Sequence, residues 1–333
     1  ASLQVTPRPP PPTASSSARS IIPPPLRARA IQVVDISQPN ELVQTRTLSL
    51  SALEDLGEDD DAMATLPCAG WEAASVQSVA ITTVDGYPNA VVIAAAPSSD
   101  TGGNGMLVFY DAKTFEFLTC AETGVKPEGI SSTSGYVACV NEGSPEDDGS
   151  ADYEGSITIC SISGAGPSVS CATNSFSAST FKTGMYTDAA TFRAAGVRLY
   201  GPSGDDPSLD LEPEGCAFTS DGKYLFVAMQ DNNAYAIWDV AAGEWLMLGS
   251  FGSIEMSLDP SDKDDKIGIA SSFGADSIPV YGLPMPDGAI SFTVGGTYYF
   301  LTPNEGDTRD GEDMIKMSDD FEGEELRMGD YSC

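Results

Sequence analysis

The hydrophobic residues of this chain fall in short runs that are separated by glycine, proline, asparagine and aspartate. Clear examples lie at residues 31–36, 76–81, 89–95 and 105–111, and they are rich in valine, isoleucine, alanine or aromatic residues. Short apolar runs bounded by turn residues predict β-strands. One stretch, residues 180–195, has apolar residues near helical spacing and predicts a short helix. The pattern therefore predicts an all-β fold with a short helical loop insertion.

Three segments repeat the same order of features: a Pro-acid-Gly sequence, a short strand, a glycine turn, a second strand and a polar acidic end. They begin at Pro127, Pro213 and Pro286. Repeated β units are the signature of a β-propeller, in which each blade buries its faces against its neighbours. The prolines are farther apart than the ~40–50 residues of a plain blade, so either two blades fit between them or the blades carry large loops. We predict a β-propeller of about seven blades.

A second repeated arrangement consists of an apolar strand, an aspartate, a turn and another strand. It occurs around Asp111 and Asp239, and residues 155–160 are a third copy of its apolar strand. The Pro-acid-Gly segments supply one kind of strand in each repeat. The segments of the second arrangement are therefore predicted to supply the other kind. We assign the Pro-acid-Gly segments to the inner strands of the blades and the second arrangement to the outer strands.

Composition divides the chain into two parts. Residues 1–30 contain proline and serine runs and four arginines but no acidic residue, whereas residues 31–333 form the predicted propeller domain. Prolines at this density favour the extended polyproline II conformation. The first part is therefore either a disordered tail or an arm that docks on a neighbouring molecule or carries O-linked sugar. No Asn-x-Ser/Thr sequence occurs, so N-glycosylation is not expected.

The charge of the chain restricts its partners. The formal net charge is −33, which repels nucleic acid and anionic membranes and attracts divalent cations and basic molecules. The same charge is also explained by a solvated acidic surface that keeps the protein soluble. No apolar run approaches the ~18 residues that a membrane helix needs. We therefore predict a secreted or cell-surface protein with no nucleic-acid partner and no transmembrane segment.

The chain contains no histidine. This absence excludes Ser-His-Asp and Cys-His catalysis and removes the commonest protein ligand of zinc. No Cys-x-x-Cys pair is present either, so a cysteine zinc site is not expected. A metal ion would have to be held by carboxylates, carbonyl groups and water, which points to calcium or magnesium.

The candidate metal ligands are acidic residues at predicted strand ends. They belong to two kinds of sequence. In the Asn-Glu-Gly sequences, the acids that follow asparagine are Glu142, Glu305 and Asp307. In the Pro-acid-Gly sequences, the acids are Glu128, Glu214 and Asp287. Inner strands of a propeller converge on its central channel, so acids at equivalent places in several blades can surround one cation. We predict calcium bound by members of the set Glu142, Glu214, Glu305 and Asp307.

A second candidate calcium site and one alternative interpretation remain. Asp259, Asp262 and Asp264 form an oxygen-rich loop that resembles calcium loops but lacks their fixed glycine. In the alternative, the Pro-acid-Gly sequences are turn chemistry, in which proline sets φ, glycine adopts a positive φ and the acid caps the loop.

Seven cysteines are present, and two of them flank a predicted turn at residues 164–167. If the turn is the centre of a hairpin, Cys160 and Cys171 face each other across two strands and satisfy disulfide geometry. The alternative is a pair of buried free thiols. We predict the disulfide, because an acidic, histidine-free chain of this kind suits an oxidising compartment. The odd number leaves one cysteine over, for which Cys333 is the natural candidate.

Residues 31–310 resemble the choice-of-anchor I domain family, which includes mesenchyme-specific cell-surface glycoprotein-like proteins. The resemblance is carried in order by segments along most of the chain: residues 33–37, 140–143, 192–198, 210–214, 220–223, 230–234, 258–264 and 304–310. It implies a secreted or surface-attached β-propeller of the kind often described as alkaline-phosphatase-like without an established reaction. Family domains begin with another strand pair before Ile31 and continue beyond Asp310, so the resemblance also implies that the ring is incomplete in this chain.

Two functions of different classes remain open. The preferred one is an extracellular or cell-surface structural module of a matrix, a wall or a flagellar-surface fibre, whose proline-rich arm binds other copies or other extracellular glycoproteins. The alternative is a metal-dependent phosphoesterase that uses channel carboxylates and a metal-bound water. Phosphoester hydrolysis also needs positive charge for the phosphate, for which Arg193, Arg198 and Arg309 are the few candidates. Catalysis therefore stays undecided, and the non-catalytic interpretation is favoured.

Overall fold

The computed structural model describes residues 30–37, 43–50, 68, 71–98, 102–146, 149–186, 188–201, 203–256 and 280–306. The strands in chain order are β1 (Ala30–Asp35), β2 (Val43–Ser49), β3 (Ser78–Thr83), β4 (Ala90–Ala96), β5 (Asn104–Asp111), β6 (Phe117–Val125), β7 (Pro127–Thr133), β8 (Tyr136–Asn141), β9 (Ser156–Ser163), β10 (Ser168–Ser175), β11 (Gly215–Phe218), β12 (Tyr224–Met229), β13 (Ala234–Asp239), β14 (Glu244–Ser250), β15 (Ile254–Met256), β16 (Val280–Gly282), β17 (Ile290–Val294) and β18 (Thr297–Leu301). The helices are a 3-10 turn (Ala178–Thr180), α1 (Ala189–Ala194) and α2 (Pro207–Asp210).

Three four-stranded antiparallel sheets follow one another along the described part of the chain, and each is a simple meander. We call them blade 1 (β3–β6), blade 2 (β7–β10) and blade 3 (β11–β14). Two-stranded sheets are formed by β1–β2, β15–β16 and β17–β18. The all-β prediction is confirmed. Because the described residues do not close a ring, the number of about seven blades stays a prediction.

Within the described ranges, none of the helices is both long and apolar enough to cross a membrane.

The central strands of the blades are buried on both faces, which explains their nearly continuous apolar sequence. In β8, Val137 and Cys139 pack into the cluster shared with blade 1. The alternate residues Ala138 and Val140 pack into the cluster shared with blade 3. Successive side chains of a strand point to opposite faces, so a strand between two blades needs apolar residues at every position.

The first strands of successive sheets lie next to one another and are joined by serine hydroxyl groups. The Ser132 hydroxyl on β7 donates to the Ile81 carbonyl on β3 at 3.0 Å. The Phe218 amide on β11 donates to the Ser131 hydroxyl on β7 at 3.0 Å, and the Ser291 hydroxyl on β17 donates to the Phe218 carbonyl. The same side-by-side contact is thus repeated along the series β3, β7, β11 and β17, as in the inner strands of a propeller.

The repeated aspartates lie where the sequence pattern places them. The carboxylate of Asp111, the last residue of β5, accepts hydrogen bonds from the amides two and three residues further on, at 2.8 Å each. The carboxylate of Asp239, the last residue of β13, does the same at 3.0 and 2.9 Å. Both aspartates cap the turn between the last two strands of a blade, and the structure places those strands as the outer pair.

A long connection separates blade 2 from blade 3 and decides between the two explanations of the proline spacing. Between Pro127 and Pro213 the structure has one four-stranded sheet and a connection that holds the 3-10 turn and both helices, so here the large-loop alternative is correct. The helix predicted at 180–195 is shorter than expected. It begins after Asp188, whose carboxylate accepts from the Thr191 amide at 2.8 Å, while the segment before it packs on blade 3.

Two disulfides join described cysteines. Cys160 and Cys171 lie directly opposite each other in the β9–β10 ladder and are bonded to each other. The second disulfide, Cys68–Cys120, was not predicted, because its partners are 52 residues apart and share no hairpin. Cys139 and Cys216 are buried free thiols.

Several predicted features lie outside the described residues. These are residues 1–29 of the proline-rich arm, Asp259, Asp262, Asp264, Asp307, Arg309 and Cys333.

Candidate functional site

The Pro-acid-Gly sequences of successive inner strands are in direct backbone contact. The Gly129 amide donates to the Glu214 carbonyl at 3.1 Å, and a Cβ atom added at Gly129 would collide with that oxygen. A Cβ atom at Gly215 would collide in the same way with the Asp287 carbonyl. Neither glycine has a positive φ, so the expectation of a left-handed turn is wrong here. These glycines are needed because a neighbouring backbone approaches too closely for a side chain.

This contact brings four acids together at the starts of the inner strands. We call Glu128, Glu142, Glu214 and Asp287 the acid cluster. Glu142 and Asp287 act electrostatically on both Glu128 and Glu214, which shows that residues from blade 2, blade 3 and the segment before β17 share one region.

Burial and mutual repulsion raise the pKa values in the acid cluster. The pKa of Glu128 rises to about 7, chiefly because burial disfavours its charged form, and a hydrogen bond of 2.7 Å from the Gln77 amide opposes this rise. The pKa of Glu214 rises to about 9, again chiefly through burial, with Asp231 as the largest charged contributor. Glu214 is therefore protonated near neutral pH, and at least part of the cluster is uncharged.

Two buried asparagines hold the backbone around the acid cluster, and the sequence patterns alone did not reveal their role. The Asn232 side chain accepts from the Glu212 amide at 2.8 Å and donates to the Arg198 and Asp210 carbonyls at 2.7 Å each. The adjacent Asn233 side chain accepts from the amide of Met285, two residues before Asp287, at 3.1 Å. Fully buried amides with several partners fix the segments that they join. The available signal was the Asp-Asn-Asn sequence itself.

The Asn-Glu-Gly sequence at residues 141–143 divides its roles between structure and charge. Asn141 is fully buried and donates to the Ser156 and Thr158 hydroxyls at 3.0 Å each. The amide of Glu142 donates to the Lys126 carbonyl at 2.8 Å. The asparagine thus ties β8 to β9 and leaves the glutamate at the strand end, within reach of Glu128 and Glu214.

The two described arginine candidates differ in position. Arg198 donates to the Asp231 carbonyl at 3.1 Å and lies against the Met285 sulfur. Arg193 is held in the blade 2–blade 3 connection by the Leu199 and Gly204 carbonyls, at 2.7 Å each, and by the Asp205 carboxylate at 2.9 Å. Arg198 thus lies between the Asp231 backbone and Met285, two residues before Asp287, whereas Arg193 is held in the connection.

The structure brings together only part of the predicted calcium set. Glu142 and Glu214 share the acid cluster, whereas Glu305 is exposed at the end of the segment after β18. Among the residues that the structure describes, no three aspartate, glutamate or cysteine side chains are arranged to hold a metal ion. The carboxylates interact electrostatically but do not form a coordination group, so the described residues alone do not fit calcium.

Comparison with known proteins identifies a family. The family model of the choice-of-anchor I domain matches residues 25–330. No curated protein matches the chain.

Several solved structures are similar to this chain. Hydrazine synthase of Kuenenia stuttgartiensis matches at 14% identity and a TM-score of 0.35, over 64% of this chain and 47% of its own. The β-propeller domain of Cps50 (Swd1) from Myceliophteria thermophila matches at 14% identity and a TM-score of 0.38, over 65% of this chain and 53% of its own. Apo AztD from Citrobacter koseri matches at 12% identity and a TM-score of 0.26, over 70% of this chain and 56% of its own. The chain thus spans about half the length of these structures.

Proposed function

Since the chain belongs to the choice-of-anchor I domain family, a cell-surface-related group of β-propeller modules, we propose that it is a structural and adhesive module of an extracellular assembly. A matrix, a wall and a surface fibre are assemblies of this kind. Two disulfides among the described residues suit the oxidising environment outside the cell.

The observation that carries this proposal is where the apolar surface lies. Large exposed hydrophobic side chains are concentrated at the two ends of the described series of sheets. At the first end these are Val34, Ile36, Val43, Val79 and Ile81, and at the last end Ile254, Tyr281, Leu283, Ile290, Phe292, Val294, Tyr299 and Leu301. Clusters of exposed apolar side chains are typical of sites of association.

The location of the protein tests this function. An antibody against the chain should label intact cells of the source organism as strongly as permeabilised cells, and the label should remain in the washed wall or matrix fraction. A cytosolic control protein should be labelled only after permeabilisation. Labelling that requires permeabilisation would contradict an extracellular role.

We retain calcium as a stabilising ion within this proposal. Its support comes from the sequence, because the remaining candidate ligands Asp259, Asp262, Asp264 and Asp307 lie outside the described residues, whereas the acid cluster by itself does not fit the ion. An ion that binds only the folded form raises the melting temperature. Chelator-treated protein should therefore melt at a higher temperature with calcium than without it, and the double substitution of Asp259→Asn and Asp262→Asn should reduce the difference. An unchanged melting temperature would remove calcium from the proposal.

A metal-dependent phosphoesterase remains the second candidate, because buried carboxyls with raised pKa values are typical of catalytic sites as well as of structural networks. Arg198, which contacts the Asp231 carbonyl and Met285, is the candidate for the positive charge that a phosphate would need. Hydrolysis of p-nitrophenyl phosphate should be compared for wild type, Glu214→Gln and the exposed-acid control Glu305→Gln, with and without calcium. A calcium-dependent rate that is lost only in Glu214→Gln would favour the enzyme over the structural module.

A further inference from the structure

The described series of sheets has an uncovered face at each end. Between neighbouring blades, the equivalent face is covered by the next inner strand. Inside the molecule, each inner strand packs one face on the preceding inner strand and turns the other face to the next one. This contact occurs between β3 and β7, between β7 and β11, and between β11 and β17. The outer face of β17–β18 and the outer face of β3 are the two surfaces at which the series is not continued by a described inner strand.

The outer face of the last hairpin is defined by strand alternation. On β17, the side chains of Ser291 and Thr293 contact blade 3 through Phe218 and Ser220. The intervening side chains, of which Phe292 is the central one, therefore point away from blade 3. On β18 the same argument applies, because Tyr298 and Phe300 face Asp221 and Phe226.

We call this surface the hairpin face, and it consists of Ile290, Phe292, Val294, Tyr299 and Leu301. Its members are exposed, Ile290 to 63% and Phe292 to 38%. Phe292 and Tyr299 are opposite each other in the ladder and stack with ring centroids 5.1 Å apart. The face is therefore an apolar surface with a paired aromatic centre, the composition found at the centres of protein interfaces.

The other surface lies on β3. The Thr82 hydroxyl donates to the Thr133 carbonyl of β7 at 2.7 Å, so the alternate residues Val79 and Ile81 point away from blade 2. They are 49% and 61% exposed. We call this surface the strand face. Leu48 of β2 and Leu50, which follows it, pack on β4 and β5 of blade 1 beside this surface, but Val79 and Ile81 stay exposed.

We propose that the hairpin face of one copy docks on the strand face of a second copy of this chain. The argument is that this contact would continue the contact between blades. Within the chain, β7 and β11 each pack against the next inner strand on the face that points away from the preceding one. The hairpin face is the face of the last described inner hairpin on which a further inner strand would pack. The strand face is the face of the first inner strand, β3, that points away from β7. The two are complementary by the rule that already joins the blades.

This contact is head-to-tail, because it joins two different surfaces. Such heterologous contacts build rings when the rotation between copies closes and filaments when it does not. The inference rests on the proposed structural function and names the partner, a second copy, and the surface that binds it.

Two substitutions test the two faces independently. Phe292→Asp places a charge in the hairpin face, and Ile81→Asp places one in the strand face, and a buried unpaired charge strongly opposes association. Each should weaken self-association at least about tenfold, which corresponds to about 1.4 kcal/mol. Met185→Asp changes an apolar residue that is 43% exposed in the connection between blade 2 and blade 3 and should have no effect. Circular dichroism and melting temperature establish that all three variants are folded.

Sedimentation velocity of the full chain over a concentration series is the measurement. At moderate salt, which weakens contacts of the basic arm, wild type and Met185→Asp should form species larger than a dimer, and each face variant alone should stay monomeric. A mixture of Phe292→Asp and Ile81→Asp should give a dimer and nothing larger, since each variant retains one intact, complementary face. A monomeric wild type, or a mixture without dimer, would overturn the inference. A protein that is surface-located but monomeric would leave the proposed function intact and refute only this contact.

Discussion

At Gly129 and Gly215 the absence of a side chain allows the carbonyl of an acid just ahead of the next inner strand to come into contact with the glycine. The Pro-acid-Gly sequence therefore serves two purposes at once. Its glycine permits the inner strands to pack closely, and its acid is carried to a position beside the acids of the neighbouring strands. Neither glycine adopts the positive φ that the turn alternative requires, so at these residues close packing of the strands replaces turn chemistry as the role of the glycine.

Gly215→Ala should destabilise the protein by about 1–3 kcal/mol, because the new methyl group meets the Asp287 backbone and the strands must move apart. The matched control is Gly166→Ala in the β9–β10 turn, where no atom lies within 4 Å and φ is not positive; it should change stability by no more than about 0.5 kcal/mol. Urea unfolding at constant pH measures both. Equal effects of the two substitutions would contradict the close-contact explanation.

Glu214 should make stability fall as pH rises. Its pKa in the folded state is about 9, against an ordinary value of 4.5, so the folded protein binds this proton more tightly than the unfolded chain does. The stabilisation is complete below pH 4.5 and is lost progressively as pH rises towards 9. The pKa of Glu128, raised to about 7, adds to the same trend over the lower part of this range.

Glu214→Gln should therefore raise the melting temperature at pH 8 and flatten its dependence between pH 5 and pH 9. The expected rise is about 2–4 °C for each kcal/mol recovered. Glu305→Gln, which changes an exposed acid, is the control and should reproduce the wild-type slope. A Glu214→Gln profile parallel to that of wild type would show that this carboxyl is not held in its neutral form.

At the scale of elements, local pattern and observed structure agree closely. The apolar run at 105–111 lies within β5, and both capping aspartates were recognised from the strand-Asp-turn arrangement. The helix α1 covers only the end of its predicted stretch. Phe181, in the first part, forms a β-bridge with Trp245, a contact between distant residues that helical spacing does not reveal.

The hairpin β9–β10 should be oxidised in the native protein. Cys160 and Cys171 enclose a separation of 11 residues, and closing so short a loop in the unfolded chain should contribute about 2–3 kcal/mol. Replacing both by serine should lower the free energy of unfolding by this amount. In peptide mapping without reductant, neither thiol should react with iodoacetamide, whereas Cys139 and Cys216 should react once the protein is denatured. Alkylation of Cys160 and Cys171 under those conditions would refute the pairing.

At the scale of the whole molecule, the charge distribution concerns assembly. The segment 1–30 is basic and proline-rich, whereas the chain as a whole carries a net charge of −33, so the arm is electrostatically complementary to the body of another copy. An electrostatic interaction of this kind weakens as the salt concentration rises. Contact between the hairpin face and the strand face depends on apolar burial, so salt does not weaken it.

Removing residues 1–29, which keeps all of β1, should reduce assembly at low salt and have less effect at moderate salt. Light scattering of the full and shortened chains at the two salt concentrations measures this. Equal assembly of both chains at low salt would show that the arm does not dock.

The sequence by itself determined what depends on neighbours along the chain: the all-β class, the outer-strand turns at Asp111 and Asp239, and the opposed positions of Cys160 and Cys171 in one hairpin. It also sufficed for the family resemblance, because the motifs keep their order. Only the tertiary structure decided which acids meet, since Glu128, Glu214 and Asp287 come from different strands and are brought together by backbone contact at glycine. The same holds for Cys68–Cys120 and for the anchoring amides of Asn232 and Asn233. Their partners lie far away in sequence, and only the packing of one blade on the next places them within reach.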